Sequence, residues 1–369
     1  MLNELKPKRR FLMGPGPSDI NPRVLQALST PMIGHLDPQF IQIMDEVMDM
    51  TRQVFQTKNE FTSAISATGT AGMETCLVNL LEPGDTAIIC VNGVFGGRMC
   101  EIAERCGAKV VRVNAPWGEP IDPAKVREAL EHCEPKLVSI VHAETSTGVL
   151  QPLGEISKMV RDAGALFLVD AVTSLGGTQL KIDEWGIDAV YSGSQKCISA
   201  PPGLSPVSFN TKALDVIDSR KSRVQSFYLD ISLIRKYWTG AKRAYHHTGP
   251  ISMVYALHEA LRIVLEEGLE ARIERHRNNH MKLRKGLEDM GFEFVVAPEY
   301  RLPMLNAIKV PQGVDDAAVR GRLLNEYNIE IGAGLGDFAG KVWRIGLMGE
   351  SCTPNHINML LGAFKNILG

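Results

Sequence analysis

The 369-residue chain has no paired cysteine spacing, no long apolar run and no surplus of one charge, and each absence removes a class of function. Its seven cysteines, Cys76, Cys90, Cys100, Cys106, Cys133, Cys197 and Cys352, are odd in number and scattered, with no C-x-x-C pair. That pattern argues against a disulfide framework and against a structural zinc site, and points to a reducing compartment, the cytoplasm. No stretch is long and apolar enough to cross a bilayer, and the opening MLNELKPKRRFLMGPGPS lacks both the apolar centre of a secretory signal and the unbroken basic face of a transit peptide. With 40 Lys plus Arg against 42 Asp plus Glu, nothing draws the chain to nucleic acid or to an anionic membrane. The expected partner is a small molecule or another protein chain. The pair His246 and His247 has no third ligand at a metal-like spacing, so no metal is assigned.

What is present is enough apolar sequence, 44% of residues, for more than one core, and two domains are expected. Residues 1–20 read as an extended arm, since Gly14, Pro15, Gly16 and Pro17 propagate neither a helix nor a central strand. Short β-branched runs then alternate with helical patterns: TSAIS (62–66), TAIICV (86–91), KVVRV (109–113), LVSIVHA (137–143), ALFLVDA (165–171) and IDAVYSG (187–193). The alternation predicts an α/β fold, with a mostly parallel sheet in a large domain over 21–266. A long helical pattern after residue 250, interrupted at Gly268, leads into a smaller α+β domain over 267–369, with FEFVV, NAIKV, IEIGAG and KVWRIGL as its strand candidates. In open α/β sheets, ligands gather beyond the carboxyl ends of the strands, so the polar residues just after each strand are where chemistry is sought.

Four segments meet that condition. SAISATGTAGMET (63–75) runs from a strand through a turn into a helix start, where backbone N–H groups and the hydroxyls of Thr68 and Thr70 suit a phosphate; such turns are also common as plain connectors. In ALFLVDAVTSLGG, Asp170 ends an apolar strand, as a helix cap or as an acid partner for a ligand. In YSGSQKCISAPPG, Lys196 stands among Ser, Cys and Ala on an irregular loop. There it is either a surface lysine or a desolvated amine able to form a Schiff base. In KVWRIGLMG, Arg344 interrupts an apolar strand and must either lie at an edge or have an anion, an internal carboxylate or that of a substrate. A Schiff-base lysine, an acid and a phosphate cradle are together what a pyridoxal phosphate site needs.

At this point the chain resembles the class V aminotransferases of pyridoxal phosphate fold type I, in their alanine-glyoxylate and serine-pyruvate branch, and the resemblance implies seven strands in the mostly parallel sheet of the large domain. The resemblance runs through MGPGPS, GHLDPQF, the TGT turn, NGVFGGR, ETSTGVLQPLGE, LVDAVTSLGG, SGSQKCISAPPG, SFYLDI, YHHTGPIS and RIGLMG, in that order. It implies that Lys196 carries pyridoxal 5'-phosphate as an internal aldimine, that Asp170 pairs with the pyridine nitrogen, and that Thr68, Gly69, Thr70 and Gln195 hold the phosphate. Phe95 takes the place of the stacking aromatic, which is Trp in some relatives, and Thr145 lies near the phenolic oxygen. Arg344 binds the substrate carboxylate, with Gly16 and His35 near the substrate. Tyr245 and Thr248, in YHHT, reach the phosphate of a neighbouring subunit, so a homodimer with shared active sites is implied.

The implied reaction is ping-pong transfer of an amino group from a small donor, alanine or serine, to glyoxylate or pyruvate. No second basic residue for an acidic side chain stands out in these motifs. A ureidoglycine-glyoxylate aminotransferase shares the motifs but tends to carry Asn where Tyr245 stands. A lyase or cysteine desulfurase of the same fold typically has His in place of Gln195 and a cysteine on a mobile loop, which Cys197 and Cys352 do not match.

Overall fold

Seven strands form the central sheet: β1 (Phe61–Ile65), β2 (Thr86–Val91), β3 (Lys109–Asn114), β4 (Leu137–Val141), β5 (Leu166–Asp170), β6 (Ala189–Tyr191) and β7 (Ser205–Phe209). The structure, a computed structural model, describes residues 4–240 and 242–369; the first three residues of the expected arm lie outside the described residues. Strand order is β1-β7-β6-β5-β4-β2-β3, parallel from β2 through β6, with β7 antiparallel to both of its neighbours. Every residue of β1, β4, β5, β6 and β7 is buried, because helices cover both faces. That explains why these strands read as continuous apolar runs and not as alternating ones.

The run that forms β7 is not among the six read from the sequence. Its sequence, SPVSF, carries a proline and two serines, yet Pro206 lies just past the end of β6, its carbonyl accepting from Ser192 N at 2.7 Å while the Ser192 carbonyl, which proline cannot serve, accepts from the Ser205 hydroxyl at 2.5 Å. Among the helices, Pro123–His132 starts on an N-cap, with the Asp122 carboxylate accepting from Ala124 N at 2.9 Å. The helix after β1 covers Gly69–Leu80 and stops before Pro83. The long pattern after residue 250 forms two helices, Ile251–Glu267 and Leu269–Asp289, which meet at Gly268.

In the C-terminal part, β8 (Leu305–Lys309), β9 (Gly332–Ala333) and β10 (Val342–Gly346) form an antiparallel sheet of order β8-β10-β9. FEFVV is not a strand: a single bridge joins Phe294 to Ile308 before Pro298 opens a 3-10 turn. IEIGAG is split, its first half, Ile329–Glu330, pairing in parallel with Phe11–Leu12 of the N-terminal arm. One apolar core runs from Val24 to Val264, and a second joins Met13 of the arm to residues between Leu283 and Phe364. A small third cluster, including Ala143, Cys197, Met304 and Met348, packs the two lobes together beside Lys196. Among the described residues, no helix is long and apolar enough to cross a membrane.

Candidate active site

The carboxyl ends of β1, β2, β4, β5 and β6 open toward one chamber, and the turns after them carry the polar groups, as the topology requires. Asp170 is the last residue of β5 and Tyr191 the last of β6, paired in register. The Tyr191 hydroxyl donates to Asp170 Oδ2 at 2.7 Å, and Val172 N donates to Oδ1 at 2.8 Å. Burial raises the carboxyl to about 6, against the lowering effect of those two hydrogen bonds and of Lys196. At neutral pH Asp170 is therefore mainly a carboxylate, seated where an adjacent cation would be stabilised.

Lys196 follows β6 on a turn and is only 8% exposed. Its Nζ donates to the carbonyl of Pro15, so the arm lies directly on the amine. Burial pulls the ammonium down from 10.5 to about 8, Arg344 pulls the same way, and Asp170 and Glu144 oppose it. The surface-lysine reading is thereby corrected. Gly16, at φ 110°, has to be glycine here, since a Cβ would lie 2.6 Å from Lys196 Nζ. Ser18 anchors the loop: its N–H donates to the Gln195 carbonyl at 2.9 Å and its hydroxyl to the Lys196 carbonyl at 2.7 Å.

Arg344 enters from the other lobe, on the central strand β10, and is buried. Nε donates to the Ala333 carbonyl at 2.7 Å and a terminal N–H to the Thr145 carbonyl at 3.1 Å. Among the described residues no carboxylate pairs with it, so the internal salt bridge left open by the sequence is absent. Burial lowers its guanidinium to about 10, with Glu144 acting in the opposite direction. A buried guanidinium served by main-chain carbonyls keeps its affinity for an incoming carboxylate.

The phosphate candidates lie at the start of the helix Gly69–Leu80. Thr68 occupies its N-cap position without making a side-chain cap hydrogen bond, and Thr68 and Thr70 are both exposed to the chamber side of the surface. Gln195, half-buried, has its amide oxygen buried without a partner, and among the described residues its NH2 makes no hydrogen bond, which leaves that group able to donate to an anion. Phe95, half-buried, sits in the first turn of the helix Val94–Arg105 after β2. Thr145 is buried in the turn after β4.

His35, Tyr245 and Thr248 are not brought to Lys196 within one chain. Tyr245 is 63% exposed and lies against His35, with ring centroids 5.4 Å apart, while Thr248 is exposed beside them in sequence. Among the described residues, no hydrogen bond or ring contact joins these three to Lys196, Asp170 or Arg344. Three further residues were not singled out from sequence. Tyr191 holds Asp170. Arg98 donates to Thr70 Oγ1 at 3.0 Å with its guanidinium 5.0 Å from the Phe95 ring centre, and Glu144 is fully buried between Phe95 and Ser146. Arg98 was visible in the NGVFGGR motif and Glu144 in ETSTG, but nothing in those strings separates a chamber residue from a turn residue.

An amine held near neutrality, a buried acid across the sheet, an unpartnered amide and a guanidinium without a carboxylate fit a phosphorylated pyridine aldehyde that carries a substrate acid. The class of protein is a pyridoxal phosphate enzyme of fold type I. The chain belongs to the class V aminotransferase family, whose profile, Aminotransferase class-V, matches residues 10–340. It is 44% identical to an alanine–glyoxylate aminotransferase of Rattus norvegicus over 98% of this chain and 88% of the relative. It is 40% identical to an (S)-ureidoglycine–glyoxylate transaminase of Bacillus subtilis, over 99% of this chain and 92% of the relative. A crystal structure of an alanine–glyoxylate aminotransferase from Nostoc sp. superposes with a TM-score of 0.98 at 47% identity, covering 100% of this chain and 98% of that one.

Proposed function

We propose that this aminotransferase moves the amino group of alanine or serine to glyoxylate or pyruvate, using Lys196 as anchor and proton carrier and Arg344 as the carboxylate receptor for both substrates. The observation that carries the reading is the buried Arg344, with no carboxylate paired to it among the described residues. The similarity to alanine–glyoxylate aminotransferases over nearly the full chain supports it. Bound pyridoxal phosphate supplies an electron sink for charge developed at the substrate Cα. With the cofactor bound, the Asp170 carboxylate would hold the proton on the pyridine nitrogen, and Tyr191 and Val172 hold that carboxylate. Lys196 Nζ would be the group that takes the substrate Cα proton and delivers it to the carbon that was the cofactor's aldehyde. Its near-neutral ionisation lets the same atom serve as base and as acid. Thr68, Gly69, Thr70 and Gln195 would hold the phosphate, Phe95 would cover the ring, Thr145 would serve the phenolic oxygen, and Gly16 would leave room for the substrate beside the amine.

The test is a panel of half-reactions, in which each amino acid is mixed with the loaded enzyme and loss of the visible band is followed. Alanine and serine are expected to react faster than aspartate and glutamate. Faster reaction of the acidic donors would overturn the one-arginine reading. A second reading, ureidoglycine as donor with glyoxylate as acceptor, is favoured by the Bacillus subtilis relative, and ureidoglycine is included in the panel. Tyr245 weighs against it.

The enzyme acts as a homodimer. Exposed Met32, Leu36, Phe227, Tyr228 and Tyr245 supply apolar surface near His35 and the YHHT segment, and Tyr245 and Thr248 would serve the partner's phosphate while His35 approaches the partner's substrate. Sedimentation is expected to give twice the chain mass. A monomer with full activity would sink the shared-site reading. Seven cysteines without a disulfide support a reducing, cytoplasmic location.

A further inference from the structure

We propose that Glu144 is a positioning residue for the reaction: reaching across from the turn after β4, it caps the helix Val94–Arg105 and so fixes the Phe95 ring over the cofactor. The helix begins at Gly93 with no side-chain cap of its own. Its first N–H groups instead end on the neighbouring turn, Val94 N on Ser146 Oγ at 2.9 Å and Phe95 N on Glu144 Oε2 at 3.2 Å. Ser146 in turn donates to Glu144 Oε1 twice, from its N–H at 3.0 Å and from its hydroxyl at 2.5 Å. Glu144, Ser146, Val94 and Phe95 therefore form a closed set of hydrogen bonds between two loops at the sheet's carboxyl edge.

Glu144 is 0% exposed, and both of its oxygens accept from this set. A carboxylate aimed at a helix N-terminus is favoured by the orphan N–H groups and by the helix dipole, which offsets the cost of burying it. Gly93 makes the approach possible, since a Cβ there would lie 2.5 Å from Glu144 Cδ. The same turn offers the Thr145 carbonyl to Arg344, so the aromatic cover and the carboxylate receptor share one support. An ordinary buried cap would lend stability alone; this one holds the residue that carries the ring.

The inference rests on Phe95 meeting the cofactor, and the experiment separates the two claims. Phe95→Trp places a fluorophore at the cover, whose emission beyond that of the native tryptophans is expected to be quenched when pyridoxal phosphate is added to the apo protein. Glu144→Gln is nearly the same shape, but it turns an NH2 toward one of the N–H donors, because both carboxylate oxygens are acceptors here. In the Phe95→Trp protein, Glu144→Gln is expected to lose about half of the added quenching or more. Cofactor dissociation should be faster by about tenfold, with the far-ultraviolet circular dichroism unchanged. Ser146→Ala, which removes the partner of Val94 and one donor to Glu144 Oε1 but keeps the buried carboxylate, is expected to move both readouts the same way by less, and it decides the matter if Glu144→Gln does not fold. Unchanged quenching and dissociation in the folded variants would overturn the role of Glu144 while leaving the active-site reading intact. No added quenching in Phe95→Trp alone would overturn both.

Discussion

Replacing Lys196 by alanine is expected to remove the borohydride-trapped cofactor from the protein and to lower transamination of alanine and glyoxylate by about 10²–10⁴-fold from loss of proton transfer alone. Loss of covalent anchoring adds to that fall. The measurements are mass analysis of the reduced, digested protein and steady-state turnover with pyruvate detection. The wild-type amine has its own signature. Burial holds it at about 8, and a group with a lowered pKa is neutral above that value, so capture of the cofactor aldehyde by the apo protein should accelerate as the pH rises through about 8. An ordinary exposed lysine would show the rise near 10.5. Retained trapping in Lys196→Ala, or a rise in the wild type only near the ordinary value, would remove Lys196 from the centre of the mechanism.

Arg344→Gln is expected to raise KM for alanine and for glyoxylate together. Truncating one partner of a buried charged pair costs about 2–5 kcal/mol, roughly one and a half to three and a half powers of ten in affinity. Arg344→Lys keeps the charge but loses the planar fork, and its effect should be intermediate. The joint rise is the diagnostic part: a single receptor serves donor and acceptor, so neither substrate escapes. If KM rose for alanine and stayed at the wild-type value for glyoxylate, a second anion receptor would have to exist. A fall in turnover with both KM values unchanged would assign Arg344 to support of the fold, through its bonds to Ala333 and Thr145.

The central sheet was legible because burial on both faces writes a strand as an unbroken apolar run, as in LFLVD and LVSIV. SPVSF escaped because its polar residues and proline are accommodated by an antiparallel partner and by the end of β6, which are facts about neighbours. FEFVV misled in the opposite direction, since its composition suits a strand while only Phe294 finds a bridge. Lys196, Asp170 and Arg344 could each be named from an odd local setting. The seating of Lys196 under Pro15 and the reach of Arg344 to Thr145 depend on segments more than a hundred residues away, while Asp170 is held by Tyr191 on the neighbouring strand. Glu144 was hidden in a polar string that reads as a turn, and its partners, Val94 and Phe95, are a strand and a crossover distant. The arm was readable as extended, but its seat on Ile329–Glu330 and on Lys196 was not.

The proposed receptor for the substrate's acid end, Arg344, is carried on β10, whereas the amine proposed to work on the neighbouring carbon, Lys196, belongs to the loop after β6. A molecule that satisfies both becomes a tie between two separately cored bodies, with the Thr145 carbonyl already drawing Arg344 across the seam. The gap it must bridge is therefore a property of how the lobes meet. Chain length in a candidate donor is gauged by that junction before any side-chain pocket is consulted.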